Sequence, residues 1–489
     1  MKHIKNAVKS LIFLMILVVS LLKINQILEP KYLLLNSRWP STSTYKQFYK
    51  MDENSIDVLF LGSSVVANAF IPQEIYNNYG IRSYNLGSEQ QSIFISYYWL
   101  KESLRFQKPK VVVLDLKFMC DLHSDCPINM EEGLIRKSLD PMHWSNVKKE
   151  AIHELCKLDS TQSELSYYLT NLRFHSRWTE LQEYDFDKSI IEYSPLKGYA
   201  PLTIDGPDFY KTYNQSDATI SMEFHPLMQE YLDKIVELCN DNNIQLVLID
   251  LPGNEMNDAI NNTHVKYAKQ NNVSYYNLCG TEYFEKLNAV LPEDGVVNHQ
   301  NYLGAIKTSN FIGGLLRDTY GIAPVEDQQY EDTKEYYLEI IDSLRLSKIA
   351  DPEEYINAIN RPYYAVFMSS YGDAAKGISE EMLDEMAGLG LTPVDGIPPD
   401  LSFVAVIIGQ SVEKEVFSTK EINYIGSFRG GHTVYSINSN GNEIYSSSSI
   451  MIDGQEYSPK DLGLNIVVYD LNTLKVIDVV TILKGEIQR

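Results

Sequence analysis

The stretch that most constrains the fold is Val58-Leu59-Phe60-Leu61, an unbroken apolar run that ends abruptly in Gly62-Ser63-Ser64. A strand buried on both faces reads as such a run, whereas a strand with one wet face alternates. Similar runs recur at 111–116 and 244–249, with shorter ones at 81–86 and 273–277. Helical spacing separates them, at 72–79, 92–106, 225–240, about 256–270 and 303–320. Strands alternating with helices predict an α/β fold built on a doubly wound, mostly parallel sheet. Open sheets of this kind bind ligands outside the carboxyl ends of their strands, which is where Ser64 falls. If a histidine from later in the chain reaches the same edge, Ser64 is a nucleophile. If none does, the chain is a binder on an enzyme's fold.

The N-terminus bears on compartment. Lys2, Lys5 and Lys9 precede an apolar stretch from Leu11 to Leu22; Lys23 interrupts it, and Ile24 to Leu28 continue it. A basic region before a hydrophobic one is the pattern of a secretory signal, but no small-x-small cleavage site follows. The span approaches the roughly 20 residues that a membrane helix needs, and Lys23 can snorkel to an interface. Residues 1–28 are therefore expected to form an uncleaved signal anchor, with the basic end inside and the bulk of the chain outside. A formal net charge of −23 argues against nucleic acid as a partner. Of the 34 tyrosines, exposed ones would suit stacking on sugar faces, but most are expected in the core or half-buried. Cys120, Cys126, Cys156, Cys239 and Cys279 make no metal-ligand spacing, and no metal, nucleotide or redox cofactor is expected.

At 489 residues the chain is expected to hold more than one domain. A connector at 29–54 leads to a first domain at 55–322. A stretch at about 122–218, rich in aromatic and charged residues, lacks the strand–helix rhythm and reads as a partly helical insertion. A helical connector at 323–360 precedes a β-rich α+β domain at 361–489. There, Asp453-Gly454 has hairpin chemistry, and 465–469 and 476–483 read as paired strands. Arg173, His175 and Arg177 in the insertion allow two readings: contacts to an anionic or polyhydroxyl substrate, or ion pairs with surrounding carboxylates.

Acyl transfer through serine needs a nucleophile, a base and donors aimed at the developing oxyanion. Ser64 suits the first role. Asn85-Leu86-Gly87 follows the second strand at the same edge, where a glycine lets a backbone N–H approach closely. His299, in Asp294-Gly-Val-Val-Asn-His299, precedes the last helix. Together these blocks resemble the SGNH/GDSL hydrolase superfamily over about residues 30–320. The likeness is closest to membrane-anchored, extracytoplasmic bacterial members associated with acylation of cell-surface polymers. The stretches 39–44, 98–102, 108–113 and 173–178 are also similar to that group. The resemblance implies a flavodoxin-like sheet, Ser64 as nucleophile, His299 as base, and the N–H groups of Ser64 and Gly87 as the oxyanion hole. Asn85 and Asp115 are expected beside the substrate. The sequence departs from the pattern in three places. Val296 stands where the family has its catalytic acid, so Asp294 is the remaining candidate for that role. Val65 stands where close members often have histidine, and Asp115 is the polar group nearest the place of the third block's asparagine.

The second domain, at stretches 363–374 and 447–479, resembles the interleukin-like EMT inducer domain with its two halves in exchanged order. That resemblance implies carbohydrate or protein binding without catalysis. Two functions stand open. One is an extracytoplasmic serine acyl esterase or O-acyltransferase acting on a cell-envelope polysaccharide. The other is a catalytically degenerate protein that binds a cell-surface glycan or scaffolds a membrane O-acyltransferase.

Overall fold

The computed structural model describes residues 2–30, 41–120, 126–187, 194–202, 212–372, 380–392, 401–441 and 447–489. Trp39 and Pro40, the start of the expected insertion at 122 and its segments 188–193 and 203–211 lie outside the described residues, as does the end of the 363–374 stretch. The chain divides into two compact units, Met1–Tyr337 and Leu338–Arg489.

In the first unit, α1 (Lys2–Leu28) and α2 (Ser41–Phe48) precede β1 (Val58–Leu61), α3 (Ser64–Ala69), α4 (Pro72–Tyr79), β2 (Ser83–Asn85), α5 (Ile93–Ser103) and β3 (Val111–Asp115). The insertion follows as α6 (Glu132–Leu139), α7 (Asn146–Leu158), α8 (Glu164–Tyr168), α9 (Asn171–Phe174), a 3-10 turn (His175–Thr179) and α10 (Glu183–Phe186). The alternation resumes with α11 (Pro226–Asp241), β4 (Gln245–Asp250), α12 (Asp258–Asn271), β5 (Ser274–Asn277) and α13 (Thr281–Lys286). The hairpin β6 (Gly295–Val296) and β7 (His299–Gln300) leads into α14 (Tyr302–Asp318); α15 (Gln328–Leu346) begins in the first unit and ends in the second.

The five strands pair in parallel in the order β2-β1-β3-β4-β5, the flavodoxin-like order. Residue parity explains how both faces are buried. Val58, Phe60, Val111, Val113, Val247 and Ile249 pack with residues of α3, α4 and α14. Their neighbours Leu59, Leu61, Val112, Leu114, Leu246 and Leu248 pack with α5 and α11. Alternate strand residues point to opposite faces, so a strand covered on both sides must be apolar at every position. Each such buried side chain contributes about 1.5–3 kcal/mol.

The Ile4–Leu28 segment of α1 contains an 18-residue stretch of mean hydropathy 2.3 and is a candidate membrane span by length and composition. The expected connector 323–360 divides. Its first half belongs to the first unit, where Tyr330 donates to the Ser83 carbonyl at 2.7 Å and Tyr337 to Glu74 at 2.6 Å. Leu346, Ile349, Tyr355 and Ile356 belong to the core of the second.

The second unit contains α16 (Pro352–Ala358) and α17 (Glu380–Gly388), and strands β8 (Tyr364–Tyr371), β9 (Ser402–Ile408), β10 (Ser411–Ser418), β11 (Ile422–Phe428), β12 (Thr433–Asn440), β13 (Ser447–Ile452), β14 (Gln455–Glu456), β15 (Gly463–Asp470), β16 (Lys475–Leu483) and β17 (Glu486–Gln488). They form one ten-stranded sheet, antiparallel but for the β8–β12 contact. β13 and β14 make a hairpin closed by Asp453 (φ 48°) and Gly454 (φ 80°), both left-handed as a two-residue type I′ loop requires. β15 and β16 pair as the sequence predicts.

Trp99 ties the first unit together. It stacks on Tyr45 of α2 at 4.3 Å and donates from Nε1 to the Ser138 carbonyl of α6 at 3.0 Å. Trp99→Ala is expected to cost ~3–5 kcal/mol, read as a lowered urea midpoint, and Trp99→Phe to recover most of it.

Candidate active site

Ser64 owes its position to a tight turn. β1 ends at Leu61, and Gly62 turns the chain at φ 149°. A Cβ on Gly62 would lie 2.6 Å from Val66 Cγ2 and 2.8 Å from Asp115 Cβ, so only glycine fits. Ser63 caps α3 in extended conformation, and Ser64 opens the helix. Its N–H belongs to the first turn, whose donors have no intrahelical partner.

His299 arrives from the other end of the unit on the β6–β7 hairpin, where Gly295 pairs with Gln300 and Val296 with His299. Ser64 Oγ and His299 Nε2 are 2.8 Å apart. His299 Nδ1 lies 2.8 Å from the Val297 carbonyl. A carbonyl only accepts, so Nδ1 carries the proton, and in the neutral ring Nε2 presents its lone pair to the Ser64 hydroxyl. Burial pushes the imidazole below its ordinary 6.5; the Val297 hydrogen bond opposes this, and the Lys117 charge adds to it.

Asp294 does not orient His299. Its Oδ2 accepts from Lys307 Nζ and from the Val290 N–H, both at 2.6 Å. The physical reason is register: Val296 is the residue directly across the ladder from His299, and Asp294 lies at the base of the hairpin, tied to α14. Gly87 also differs from expectation. Its N–H donates to Asn85 Oδ1 at 2.9 Å rather than standing open. Its missing side chain serves packing, since a Cβ would lie 2.7 Å from Ala67 N. Asn85 is fully buried and does not line the cleft that holds Ser64 and His299; its Nδ2 donates to the Val66 and Phe70 carbonyls at 2.8 and 2.9 Å, closing the end of α3.

A cleft of about 380 Å³ opens beside the pair, lined among others by Lys117, Phe118, Asp250, Asn254 and His264. Asp115 is beneath it, not in it. Its Oδ1 accepts from Asn254 Nδ2 at 2.8 Å and its Oδ2 from the Lys117 N–H at 3.3 Å. Asn254 Nδ2 also reaches Asp250 Oδ1 at 3.1 Å, while Asp250 Oδ2 meets His264 Nδ1 at 2.6 Å and the Tyr275 hydroxyl at 2.7 Å. Sequence reasoning missed Asp250, Asn254 and His264. The available signal was that Asp250 ends the apolar run of β4 as Asp115 ends that of β3, on the same sheet edge as Ser64. Among the described residues there is no group of three or more His, Cys, Asp or Glu placed to hold a metal ion.

The insertion's Arg173, His175 and Arg177 are not part of this cleft. Arg173 pairs with Glu132 at 2.7 Å, and exposed His175 has Nδ1 3.2 Å from the Leu172 carbonyl. Arg177 donates to the Leu28 and Glu29 carbonyls at 2.8 Å and pairs with Asp185, capping the carboxyl end of α1 as a cation should. Arg173 and Arg177 are each in an ion pair, and both line a separate pocket with Arg136 and Lys137.

Burial, then repulsion from Asp250, pushes the Asp115 carboxyl up to about 7. The folded chain therefore holds a proton that the unfolded chain releases near the ordinary value of 3.8. Stability is expected to fall as pH rises through that window and then level off. Asp115→Asn should remove part of this slope in urea melts taken between the two values.

No family model matches the chain, and no curated protein matches it. Among solved structures it is similar to a Bacteroides fragilis protein provisionally assigned as an acylhydrolase, at 12% identity over 56% of this chain and 94% of that one, with a TM-score of 0.27. A GDSL-like lipase from Bacteroides thetaiotaomicron is 11% identical over 57% of this chain and 99% of that one, also at 0.27. A gut microbial diltiazem-metabolizing enzyme is 10% identical over 87% and 72%, at 0.17.

Proposed function

We propose that the chain is a serine ester hydrolase or acyltransferase working through Ser64 and His299. The 2.8 Å contact from Ser64 Oγ to His299 Nε2, with Nδ1 held by a carbonyl, carries this reading. Ser64 Oγ attacks the ester carbonyl while His299 Nε2 takes its proton; the proton then passes to the leaving alcohol. An acyl group remains on Ser64 until water or a sugar hydroxyl accepts it. The Ser64 N–H, in the first turn of α3, is the donor for the developing oxyanion, and Lys117 lines the same cleft. A neutral carbonyl orients the imidazole but stabilises imidazolium less than a carboxylate does, so the pair works as a dyad.

The finer reading is an acyl ester on a cell-envelope polysaccharide as substrate. α1 would hold the N-terminus inside and the catalytic unit outside, a membrane O-acyltransferase would be a partner, and the β-rich unit would bind glycan. The resemblance of the sequence blocks and the apolar α1 support it. Two observations favour the alternative, a degenerate binding or scaffold protein: the Gly87 N–H is taken by Asn85, and Asp294 is taken by Lys307.

A fluorophosphonate probe is expected to label the chain, and Ser64→Ala and His299→Ala to abolish labelling. No Ser64-dependent labelling together with no turnover of acetyl esters would leave only the binding reading. Asp294→Asn is expected to keep kcat/KM within a few-fold of the parent, against the ~10⁴-fold loss seen when a true triad acid is replaced. The base must be neutral to accept a proton, so activity falls as pH drops through the His299 value. The acid limb is expected below the ordinary 6.5. Lys117→Gln, which removes a repelling charge, should move that limb upward.

A further inference from the structure

We propose that the insertion docks in the interfacial layer of the bilayer that α1 spans, through the exposed side chains of Leu165, Tyr168, Leu169, Leu172, Trp178 and Phe186. The inference rests on α1 being a membrane anchor, and adds a second, peripheral contact that the anchor alone does not imply.

The depth of the insertion follows from how it holds α1. Side chains are exposed along α1 from Ile4 to Ile24; the uncharged run Ser10–Leu22 within it is about 20 Å long at ~1.5 Å per residue, and Lys9 and Lys23 at its ends reach the two interfaces by snorkelling. Contact with the rest of the unit begins at Asn25. Its Oδ1 accepts from Thr170 Oγ1 at 2.6 Å and from the Asn171 N–H at 3.0 Å. Leu28 is buried, and Arg177 caps the helix end through the Leu28 and Glu29 carbonyls while bonding Asp185. α9, the 3-10 turn and α10 all pack against α1. Residues 170–185 are thus tied to the point where α1 leaves the hydrocarbon, and cannot lie far above the lipid surface.

The composition of that ring of residues fits the place. Trp178 is 70% exposed and Phe186 65%, with the three leucines above half. Large exposed apolar side chains are the composition of an interaction surface, and Leu172, Trp178 and Phe186 lie on the three elements that pack against the end of α1. Trp and Tyr concentrate at the membrane–water boundary because an apolar ring with a polar edge is satisfied there, and Tyr168 extends the layer by stacking on Trp144 at 5.1 Å. His175, exposed between the apolar positions, suits the polar headgroup level. A lipid surface accounts for these features together, since continuity with α1 fixes both the depth and the chemistry of what lies alongside.

The full chain should be reconstituted into phosphatidylcholine–phosphatidylglycerol vesicles, with and without bromine on the acyl chains near the headgroup, and tryptophan quenching measured. Extraction at alkaline pH reports separately whether α1 is inserted. With α1 inserted, brominated lipid is expected to quench the parent, and Trp178→Phe to lower that quenching about twofold, because one of the interfacial indoles is gone. Leu169→Glu with Leu172→Glu should lower it too while the chain stays inserted. Equal quenching of the parent and Trp178→Phe in carbonate-resistant protein would overturn the docking and assign the face to a protein partner. Release of the chain by alkaline carbonate would overturn the anchor itself and the docking with it.

Discussion

Burial of β1 on both faces is the constraint from which the rest of the first unit follows. A central strand has no solvent side on which to place a polar residue, so Val58 to Leu61 are all apolar and all at or near zero exposure. The first polar atoms can appear only where the strand ends. Gly62 makes that end abrupt, because any side chain there would collide with Val66 and Asp115. The same turn that terminates the strand starts α3 and leaves Ser64 at the sheet edge. A substitution that relaxed the turn would move the hydroxyl and the helix together.

The partner of Ser64 is supplied by a separate device. His299 sits on a two-strand hairpin whose tip carbonyl, Val297, selects the tautomer and whose base is braced by Asp294 on Lys307 and the Val290 N–H. The carboxylate contributes rigidity to the hairpin, and the carbonyl contributes orientation to the ring. A second polar layer, Asp115–Asn254–Asp250–His264, lies along the neighbouring strand ends and holds the floor of the cleft. Burial and the facing Asp250 carboxylate account for the raised Asp115 value, and the hydrogen bond from Asn254 opposes them.

The fold was legible because burial on two faces leaves a mark on every residue of a strand. The hairpin at Asp453-Gly454 was legible because two consecutive left-handed residues demand that chemistry. Asn85 and Gly87 were harder. A buried asparagine that closes a helix end and one that faces a substrate look the same in a linear sequence, and only the positions of the Val66 and Phe70 carbonyls decide between them. Arg177 likewise could pair locally or bind a ligand, and the end of α1, nearly 150 positions earlier, claimed it.

What the sequence by itself determined was the local grammar: apolar runs closing in Gly-Ser-Ser, helical spacing between them, an apolar N-terminal helix, and a histidine before the last helix. These depend on periodicity and backbone chemistry, which act over a few residues. What only the tertiary structure decided was which polar atom meets which. The 2.8 Å approach of Ser64 to His299 spans 235 positions. The hydrogen bonds of Asp294, Gly87 and Asp115 depend on register and turn geometry at the ends of separate elements. Hydrogen bonds are made or lost over a few tenths of an ångström, a precision that packing sets and that no spacing along the chain encodes.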